Sequence, residues 1–231
     1  MTTSSHTRLS ILAVAAALLL VGAAPRAGAV SLDNGFTSQP FIDTTLPGTK
    51  SAIRPELAGT VLADLDTPFT LGDISGTVQN RVVRETASGT LDFYWRVILD
   101  PTSTAGGITA LRLDDFGYAN LTDADYRIDG LGTDIATTAR LFNPATHPEG
   151  AVNFLLDSPL GANESSNFFF LHTDATAFAE TAVYDLIAGN DLSSLFQTFA
   201  PAVPEPAPAA TLALGVMALG WLRGRRTRSR G

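Results

Sequence analysis

The sequence predicts an all-β protein: an antiparallel β-sandwich of jelly-roll or immunoglobulin-like type, flanked by an N-terminal signal peptide and a single C-terminal transmembrane helix. Three observations support this fold class. From Thr60 onward, short runs of β-branched and aromatic residues recur between clusters of Gly, Pro, Asn and Asp. One of these runs, residues 89–99, alternates with period two. The spacers between the runs are too short and turn-rich for the crossover helices that parallel strands need.

The alternating run 89–99 predicts a strand with one face in a hydrophobic core. Asp92 and Tyr94 fall on the opposite face. Residues 76–84 are the predicted hairpin partner, joined to this strand through the turn at 86–89. The face expected in the core carries Leu91, Phe93, Trp95, Val97 and Leu99.

Further strands are predicted along the rest of the chain. Residues 167–173 contain a near-continuous apolar run, which is typical of a strand covered on both faces. Residues 175–187 could instead be helical, because their periodicity does not decide between the two structures. The polar, proline-containing segment 30–59 is predicted to be irregular, with one edge strand. The remaining predicted strands are 108–116, 151–157 and 181–187.

The chain divides into six predicted segments. A signal peptide is expected at 1–29, because Arg8 precedes the apolar run 11–24 and small residues end the segment at Ala27 and Ala29. The apolar run is too short for a membrane anchor, which favours cleavage after Ala29. The other segments are an irregular stretch (30–59), the sandwich domain (60–200), a Pro-rich linker (201–206), a transmembrane helix (207–222) and a cytoplasmic arginine-rich tail (223–231).

The overall net charge of −8 hides an acidic body between basic ends. Residues 30–202 hold 22 acidic and 8 basic side chains, which gives this stretch a net charge of −14. A body that acidic repels phosphate backbones, so we expect no nucleic-acid partner. The chain contains no cysteine, which excludes disulfides, thiolate metal sites and a cysteine nucleophile.

Few residues are candidates for catalysis. Beyond the signal peptide the chain has two histidines: His147 in a predicted turn and His172 near a predicted strand end. No Gly-x-Ser-x-Gly motif accompanies them. We therefore expect no catalytic residues and no enzyme, with a secreted hydrolase as the weakest alternative. A hydrolase would need a concave site that unites one of these histidines with carboxylates.

Oxygen ligands are dense between residues 114 and 134, and hard ligands at this density could hold calcium in a loop. Their spacing does not fit the EF-hand register, so a solvated acidic loop is the stronger interpretation and we expect no obligatory cofactor. Tyr94 and Tyr126 are the aromatic residues that could form a surface platform for sugars. The acidic set comprises Asp114, Asp115, Asp123, Asp125, Asp129 and Asp134, with Asn120 among them.

The C-terminal tail combines three signals in a fixed order. Pro204, Glu205 and Pro206 precede a 16-residue apolar stretch, about 24 Å long as a helix and shorter than the roughly 30 Å hydrocarbon core. Trp221 suits the membrane interface. The positive-inside rule places the arginine cluster that follows in the cytoplasm. This cluster consists of Arg223, Arg225, Arg226, Arg228 and Arg230.

This tail closely resembles that of the PEP-CTERM proteins, the exosortase-sorted proteins of Gram-negative bacteria that make exopolysaccharide. The resemblance covers the order Pro-Glu-Pro motif, apolar stretch and terminal arginines in a chain with a signal peptide. It implies that a membrane-embedded exosortase recognises Pro204, Glu205 and Pro206, that the arginines act as a charge lock, and that processing near the motif releases the protein. Parts of the body, over about residues 69–189, also look like a domain frequent among these proteins.

The expected function follows from the tail. We expect a non-enzymatic structural or adhesive protein, exported across the inner membrane, transiently anchored, and then placed at the cell surface or in the extracellular matrix. Its expected partners are signal peptidase, the exosortase and the membrane. The alternative from another class is a module that binds exopolysaccharide or another surface glycan.

Overall fold

The computed structural model describes residues 30–32, 39–103, 106–117 and 119–202. The predicted signal peptide, the Pro-Glu-Pro motif, the transmembrane helix and the arginine cluster lie outside the described residues. Within these ranges, no helix has the length and apolar character needed to cross a membrane. The described residues are almost entirely strands and turns, which confirms the all-β class.

Thirteen strands and one single-turn 3₁₀ helix, Pro55–Leu57, make up the described part of the chain. The strands are β1 (Val30–Ser31), β2 (Phe41–Thr45), β3 (Gly59–Leu71), β4 (Ile74–Glu85), β5 (Leu91–Leu99), β6 (Ile108–Asp114), β7 (Leu121–Tyr126), β8 (Ala136–Phe142), β9 (Val152–Leu160), β10 (Phe169–Thr173), β11 (Phe178–Ala188), β12 (Asp191–Leu192) and β13 (Phe196–Pro201).

The strands form two antiparallel sheets. The first has the order β1-β7-β10-β5-β4-β3 and the second the order β12-β11-β6-β9-β8-β2, with β13 also paired to β11. The predicted hairpin is confirmed, because β4 pairs with β5 from Gly76 opposite Leu99 to Arg84 opposite Leu91. The segment 30–59, predicted to hold one edge strand, holds two: β1 at the edge of the first sheet and β2 at the edge of the second.

One hydrophobic core joins the two sheets in a sandwich-like arrangement. The predicted inward face of β5 is confirmed, because all five of its apolar residues belong to this core. Phe154 of β9, in the second sheet, places its ring centroid 6.2 Å from that of Trp95 and 4.6 Å from that of Phe169. Aromatic pairs at these separations add to the stabilisation from buried apolar area.

A second, smaller cluster lies on the outer face of the first sheet. It consists of Leu57, Val83, Tyr94, Phe168 and Phe170, all buried. Leu57 reaches it because residues 46–57 pass over this face. The chain is held there by hydrogen bonds from Thr49 N to the Tyr126 carbonyl (2.8 Å) and from Gly48 N to Asp125 Oδ1 (2.8 Å). The first sheet is therefore covered on both sides where this segment crosses it.

The burial of both tyrosines overturns the proposed exposed sugar platform. Tyr94 is 4 % exposed and Tyr126 is 8 % exposed, so neither forms part of an exposed aromatic row. Tyr94 packs edge-on against Phe168 (6.1 Å between centroids), whereas Tyr126 belongs to the core between the sheets. A period-two pattern assigns Tyr94 to the face opposite Trp95 but carries no information on what covers that face.

The outcome of three further predictions concerns single elements. Residues 178–188 form strand β11, so the helical alternative for this region is wrong. Asp123 and Asp125, expected in an acidic loop, lie in strand β7, which pairs with β10. Strand β10 is covered on both faces as predicted, since Phe169, Phe170 and Leu171 are each fully buried.

Candidate functional site

The acidic residues proposed as calcium ligands are not brought together. Asp123 faces Arg54, with both nitrogen–oxygen distances at 3.4 Å, and Asp129 forms two hydrogen bonds with Arg127. Asp125 is fully buried, and its Oδ1 accepts the backbone N–H groups of Gly48 and Tyr126. Each carboxylate is thus used locally, to hold its own part of the chain.

The other predicted candidates also lie apart from one another. His147 lies in the turn after β8, with Nδ1 3.0 Å from Thr146 Oγ1 and its ring 4.8 Å from that of Phe142. It has the environment of a loop histidine. His172, in β10, lies instead against two buried carboxylates.

The strand register of the first sheet brings His172 together with the two buried carboxylates. Asp92 of β5 lies directly opposite His172 of β10 on the outer face. Glu85 is the last residue of β4 and projects to the same face, two residues beyond Val83, which is the partner of Asp92. We call Glu85, Asp92 and His172 the acid–histidine cluster. Within the described residues, this group alone brings three potential metal-binding side chains close together.

The three side chains converge at one nitrogen. His172 Nδ1 lies 2.6 Å from Asp92 Oδ1 and 3.3 Å from Glu85 Oε1. Glu85 and Asp92 are 3 % and 0 % exposed, whereas the imidazole is half-buried. Two carboxylates are therefore held out of water, and the accessible side of the cluster is the histidine.

Hydroxyl groups fix the far side of both carboxylates. Glu85 Oε2 accepts hydrogen bonds from Ser88 Oγ and from Thr90 Oγ1 (3.2 Å), both in the β4–β5 turn. Asp92 Oδ2 accepts the hydroxyl of Tyr94 (3.2 Å). The opposite oxygens, Glu85 Oε1 and Asp92 Oδ1, consequently point towards the imidazole.

Burial and charge shift the ionisation of the cluster. Burial raises the pKa of Asp92 above 3.8, against the lowering effect of the His172 hydrogen bond. Burial alone would lower the pKa of His172. The hydrogen bond to Asp92 and the negative charges of Asp92, Asp123 and Glu85 outweigh it, so the pKa rises above 6.5. His172 therefore stays protonated to a higher pH than a free histidine does.

A buried arginine flanks the cluster. Arg54 is 5 % exposed, bonds to Glu56 Oε1 at 3.0 Å, and places its guanidinium 5.9 Å from the centre of the Phe170 ring. Its charge faces Asp123 and Glu56. The pKa of Arg54 is raised because those carboxylates outweigh the effect of its burial. Arg54 thus neutralises neighbouring acids and fixes the covering segment to β7.

A cleft of about 160 Å³ opens beside the cluster on the same face. Its wall combines aromatic surface from Tyr94 and Phe168 with the guanidinium groups of Arg81 and Arg127. The Arg81 guanidinium lies 4.7 Å from the centre of the Phe168 ring, and Arg81 Nε is a buried donor with no hydrogen-bond partner among the described residues. Tyr94 connects the two features, because its ring lines the cleft and its hydroxyl binds Asp92.

Among the described contacts, no hydroxyl group is hydrogen-bonded to the imidazole of His172. The hydroxyl of Ser88, in the nearby β4–β5 turn, donates to Glu85 instead. The described cleft is lined by arginines and aromatic residues and does not include His172.

Sequence reasoning singled out His172 but missed its two partners. Glu85 and Asp92 lie 87 and 80 positions before it in the chain. A partial signal existed: the predicted hairpin assigned Asp92 to the outer face, and Glu85 directly follows its predicted partner strand, 76–84. The pairing of β5 with β10, which brings the histidine to them, is a long-range contact that no local pattern specifies.

Comparison with known proteins gives no relative. No protein-family model matches the chain. Neither the curated proteins nor the solved structures contain a match.

Proposed function

We propose that this protein is an exported, non-catalytic surface or matrix protein that an exosortase sorts and processes through its C-terminal tail. The observation that carries the proposal is the order of Pro204-Glu205-Pro206, the short apolar stretch and five terminal arginines, in a chain whose N-terminus has the residue pattern of an export signal. The apolar stretch is shorter than a bilayer core, which suits a temporary hold better than a permanent anchor.

The end of the described domain is compatible with cleavage in the tail. Strand β13 ends at Pro201, and Ala202 donates its N–H to the Ala177 carbonyl (2.9 Å). Pro204 follows two residues later in the sequence. Cleavage at or after the motif would therefore leave every described strand in place.

The sorting proposal is tested by replacing Pro204, Glu205 and Pro206 with alanines in the native cells. We expect the variant to stay membrane-bound with its C-terminus intact, while the unaltered protein appears at the surface or in the medium, shortened near the motif. Mass spectrometry of both termini, combined with fractionation, measures this. A triple-alanine variant that is released and trimmed normally would refute exosortase sorting.

We also propose that the sandwich is a jelly roll. The order β7-β10-β5 in one sheet and β11-β6-β9 in the other supports this, because consecutive strands from β5 to β8 alternate between the sheets. This is the alternation expected of paired Greek keys. Backbone nuclear Overhauser contacts of Leu171 with both Phe93 and Ala124 test the central pairing.

The second candidate function is binding of an acidic surface glycan in the cleft. Aromatic surface beside guanidinium groups suits a sugar ring that carries a carboxylate. The observation that favours this function is that Arg81 and Arg127 line one cleft with Tyr94 and Phe168, and that Arg81 Nε has no hydrogen-bond partner among the described residues. Tyr94 contributes a wall of the cleft, in place of the exposed platform that the sequence indicated.

Binding of acidic and neutral polysaccharides to an array distinguishes this function. We expect acidic polysaccharides to be retained, with at least tenfold loss on Arg81→Gln, because a charged hydrogen bond contributes about 1.5–3 kcal/mol. Arg140→Gln is a matched control, since Arg140 also pairs with an aspartate (Asp43) and stacks on a ring (Phe41) but lies on the other sheet. Equal losses in both variants would show a non-specific charge effect and exclude the cleft.

A further inference from the structure

We propose that Glu85, Asp92 and His172 bind a divalent transition-metal ion, with Zn²⁺ as the representative probe, on the outer face of the first sheet. The proposal concerns this site alone and does not depend on sorting or on glycan binding. Each residue offers one ligand atom, and the three atoms lie within 4.8 Å of one another. An ion between them would need only small side-chain movements to reach coordination distances of about 2.0–2.2 Å.

The clearest sign of a missing partner is one oxygen of Glu85. Glu85 is 3 % exposed, and its Oε1 is buried without a hydrogen-bond partner among the described residues. That oxygen points to the imidazole nitrogen, which is already hydrogen-bonded to Asp92. Burying a carboxylate oxygen without a partner costs free energy, and coordination of a cation removes that cost.

The surroundings of the three ligands resemble the second shell of a metal centre. Metal-bound carboxylates are commonly held by hydrogen bonds at their other oxygen. Ser88 and Thr90 hold Glu85 in this way, and the Tyr94 hydroxyl holds Asp92. The turn and the strand thus orient both ligating oxygens before an ion arrives.

Charge balance favours a dication. Two buried carboxylates face one imidazole. The neighbouring cation, Arg54, is already paired with Asp123 and Glu56. With a neutral imidazole, a divalent ion and the two carboxylates would sum to zero charge, which offsets the cost of burying them.

The ligand set selects the class of metal. One imidazole nitrogen with two carboxylate oxygens is a nitrogen–oxygen site, which zinc and its neighbours in the first transition row accept. Calcium takes six to eight oxygen ligands, and magnesium keeps an octahedral shell of oxygens. The imidazole of His172 is the part of the cluster that remains partly open to solvent.

The test uses the full chain, purified in mild detergent, stripped with EDTA and titrated with ZnCl₂. Calorimetry should show one Zn²⁺ per chain, and the melting temperature should rise by roughly 5–10 °C at 100-fold excess over Kd. CaCl₂ at the same concentration should leave the melting temperature within about 1 °C, as expected for a site poor in oxygen ligands.

Substitutions of single residues test whether the ion binds to these three side chains. Glu85→Gln, Asp92→Asn and His172→Gln should each weaken Zn²⁺ binding at least tenfold, while His147→Gln and Asp129→Asn leave it unchanged. Tyr94→Phe keeps all three ligands and should weaken binding about tenfold, as loss of a second-shell partner does. Cobalt(II) added in place of zinc should give a visible absorption spectrum that His172→Gln abolishes.

The control for misfolding is the metal-free melting temperature of each variant. Removing one of two adjacent buried carboxylates should leave the metal-free fold intact, because the hydroxyls of Ser88 and Tyr94 can bond to an amide. Absence of calorimetric heat, or a Zn²⁺-induced shift of equal size in the ligand variants, would overturn the proposal. In that case the cluster would be a hydrogen-bonded acid–histidine network.

Discussion

At the scale of single residues, a chain of buried polar groups ties the last strand to the core. The Trp95 indole Nε1 donates to Thr198 Oγ1 (2.9 Å), and that hydroxyl donates to Asn80 Oδ1 (2.9 Å). Asn80 completes the chain by donating to the Val78 carbonyl at 3.1 Å. All three side chains are at most 2 % exposed, so water does not replace a lost bond.

We therefore expect Thr198→Val to destabilise the fold by about 3 kcal/mol, because it leaves the indole N–H and the Asn80 oxygen without this partner. Thr198→Ser keeps the hydroxyl and loses one methyl group, which costs about 1 kcal/mol. Urea unfolding, followed by tryptophan fluorescence, measures both. Equal losses in the two variants would show that packing of the methyl group, and not the hydroxyl, accounts for the effect.

Sequence patterns predicted the inward position of Trp95 but not its bond to Thr198, which lies 103 residues away. The same limit applies to the acid–histidine cluster. Alternation assigns Asp92 to a face, whereas its burial depends on the segment that covers this face. Polar residues on a predicted outer face are therefore read as solvated, although Asp92 and Asp125 are fully buried.

At the scale of elements, the covering segment 46–57 is fastened to the loop after β7. Asp129 Oδ2 accepts the backbone N–H of Ser51 at 2.8 Å and its hydroxyl at 3.0 Å. Its other oxygen accepts from Arg127 Nε at 2.7 Å. One carboxylate thus joins two segments that are 78 residues apart in the chain.

This bond has a defined pH dependence. The Arg127 hydrogen bond, with help from Ser51, outweighs burial and lowers the pKa of Asp129 well below 3.8. A lowered pKa in the folded state adds stability at pH values above the unfolded pKa, and that stability is lost as the pH falls below it.

We accordingly expect Asp129→Asn to cost about 1 kcal/mol at pH 7, with the difference from the unaltered protein shrinking as the pH falls below about 4. Thermal unfolding across this pH range provides the measurement. Asp134→Asn is the control, because its carboxylate bonds only to the adjacent Thr133 hydroxyl among the described contacts. A difference independent of pH would exclude the charged bond as its source.

Elements with strong local signals were predictable from the sequence. The β4–β5 hairpin combines an alternating strand with a turn, and β10 combines aromatic residues in one run. Strand β7 was not predictable in this way. Its outer-facing Asp123 and Asp125 gave it the composition of a loop, and Arg54 and Gly48, which compensate them, come from far earlier in the chain.

At the scale of the whole molecule, the body is acidic and most of its described arginines are paired with carboxylates. Five arginines of the described residues form ion pairs with carboxylates: Arg54, Arg81, Arg112, Arg127 and Arg140. Such pairing places these five arginines beside carboxylates, and a body charge of −14 repels the phosphate backbone of nucleic acid at long range.

If the proposed processing occurs, the domain released by cleavage must be stable without its C-terminal tail. Strand β13 belongs to the domain, since Phe199 and Ala200 are buried in the core and Thr198 binds Trp95. The domain should thus tolerate a chain end after Ala202 but not one before Phe196.

We expect a chain spanning residues 30–202 to melt within about 2 °C of one that retains the tail, whereas residues 30–195 should melt more than 10 °C lower or fail to fold. Loss of Phe199 alone removes about 3–5 kcal/mol of core packing, at roughly 2–4 °C per kcal/mol for this size. Both shortened chains lack Trp221, so fluorescence reports on Trp95 alone. If the two shortened chains were equally stable, β13 would be an accessory strand, and cleavage upstream of the motif would be as compatible with a folded product as cleavage within it.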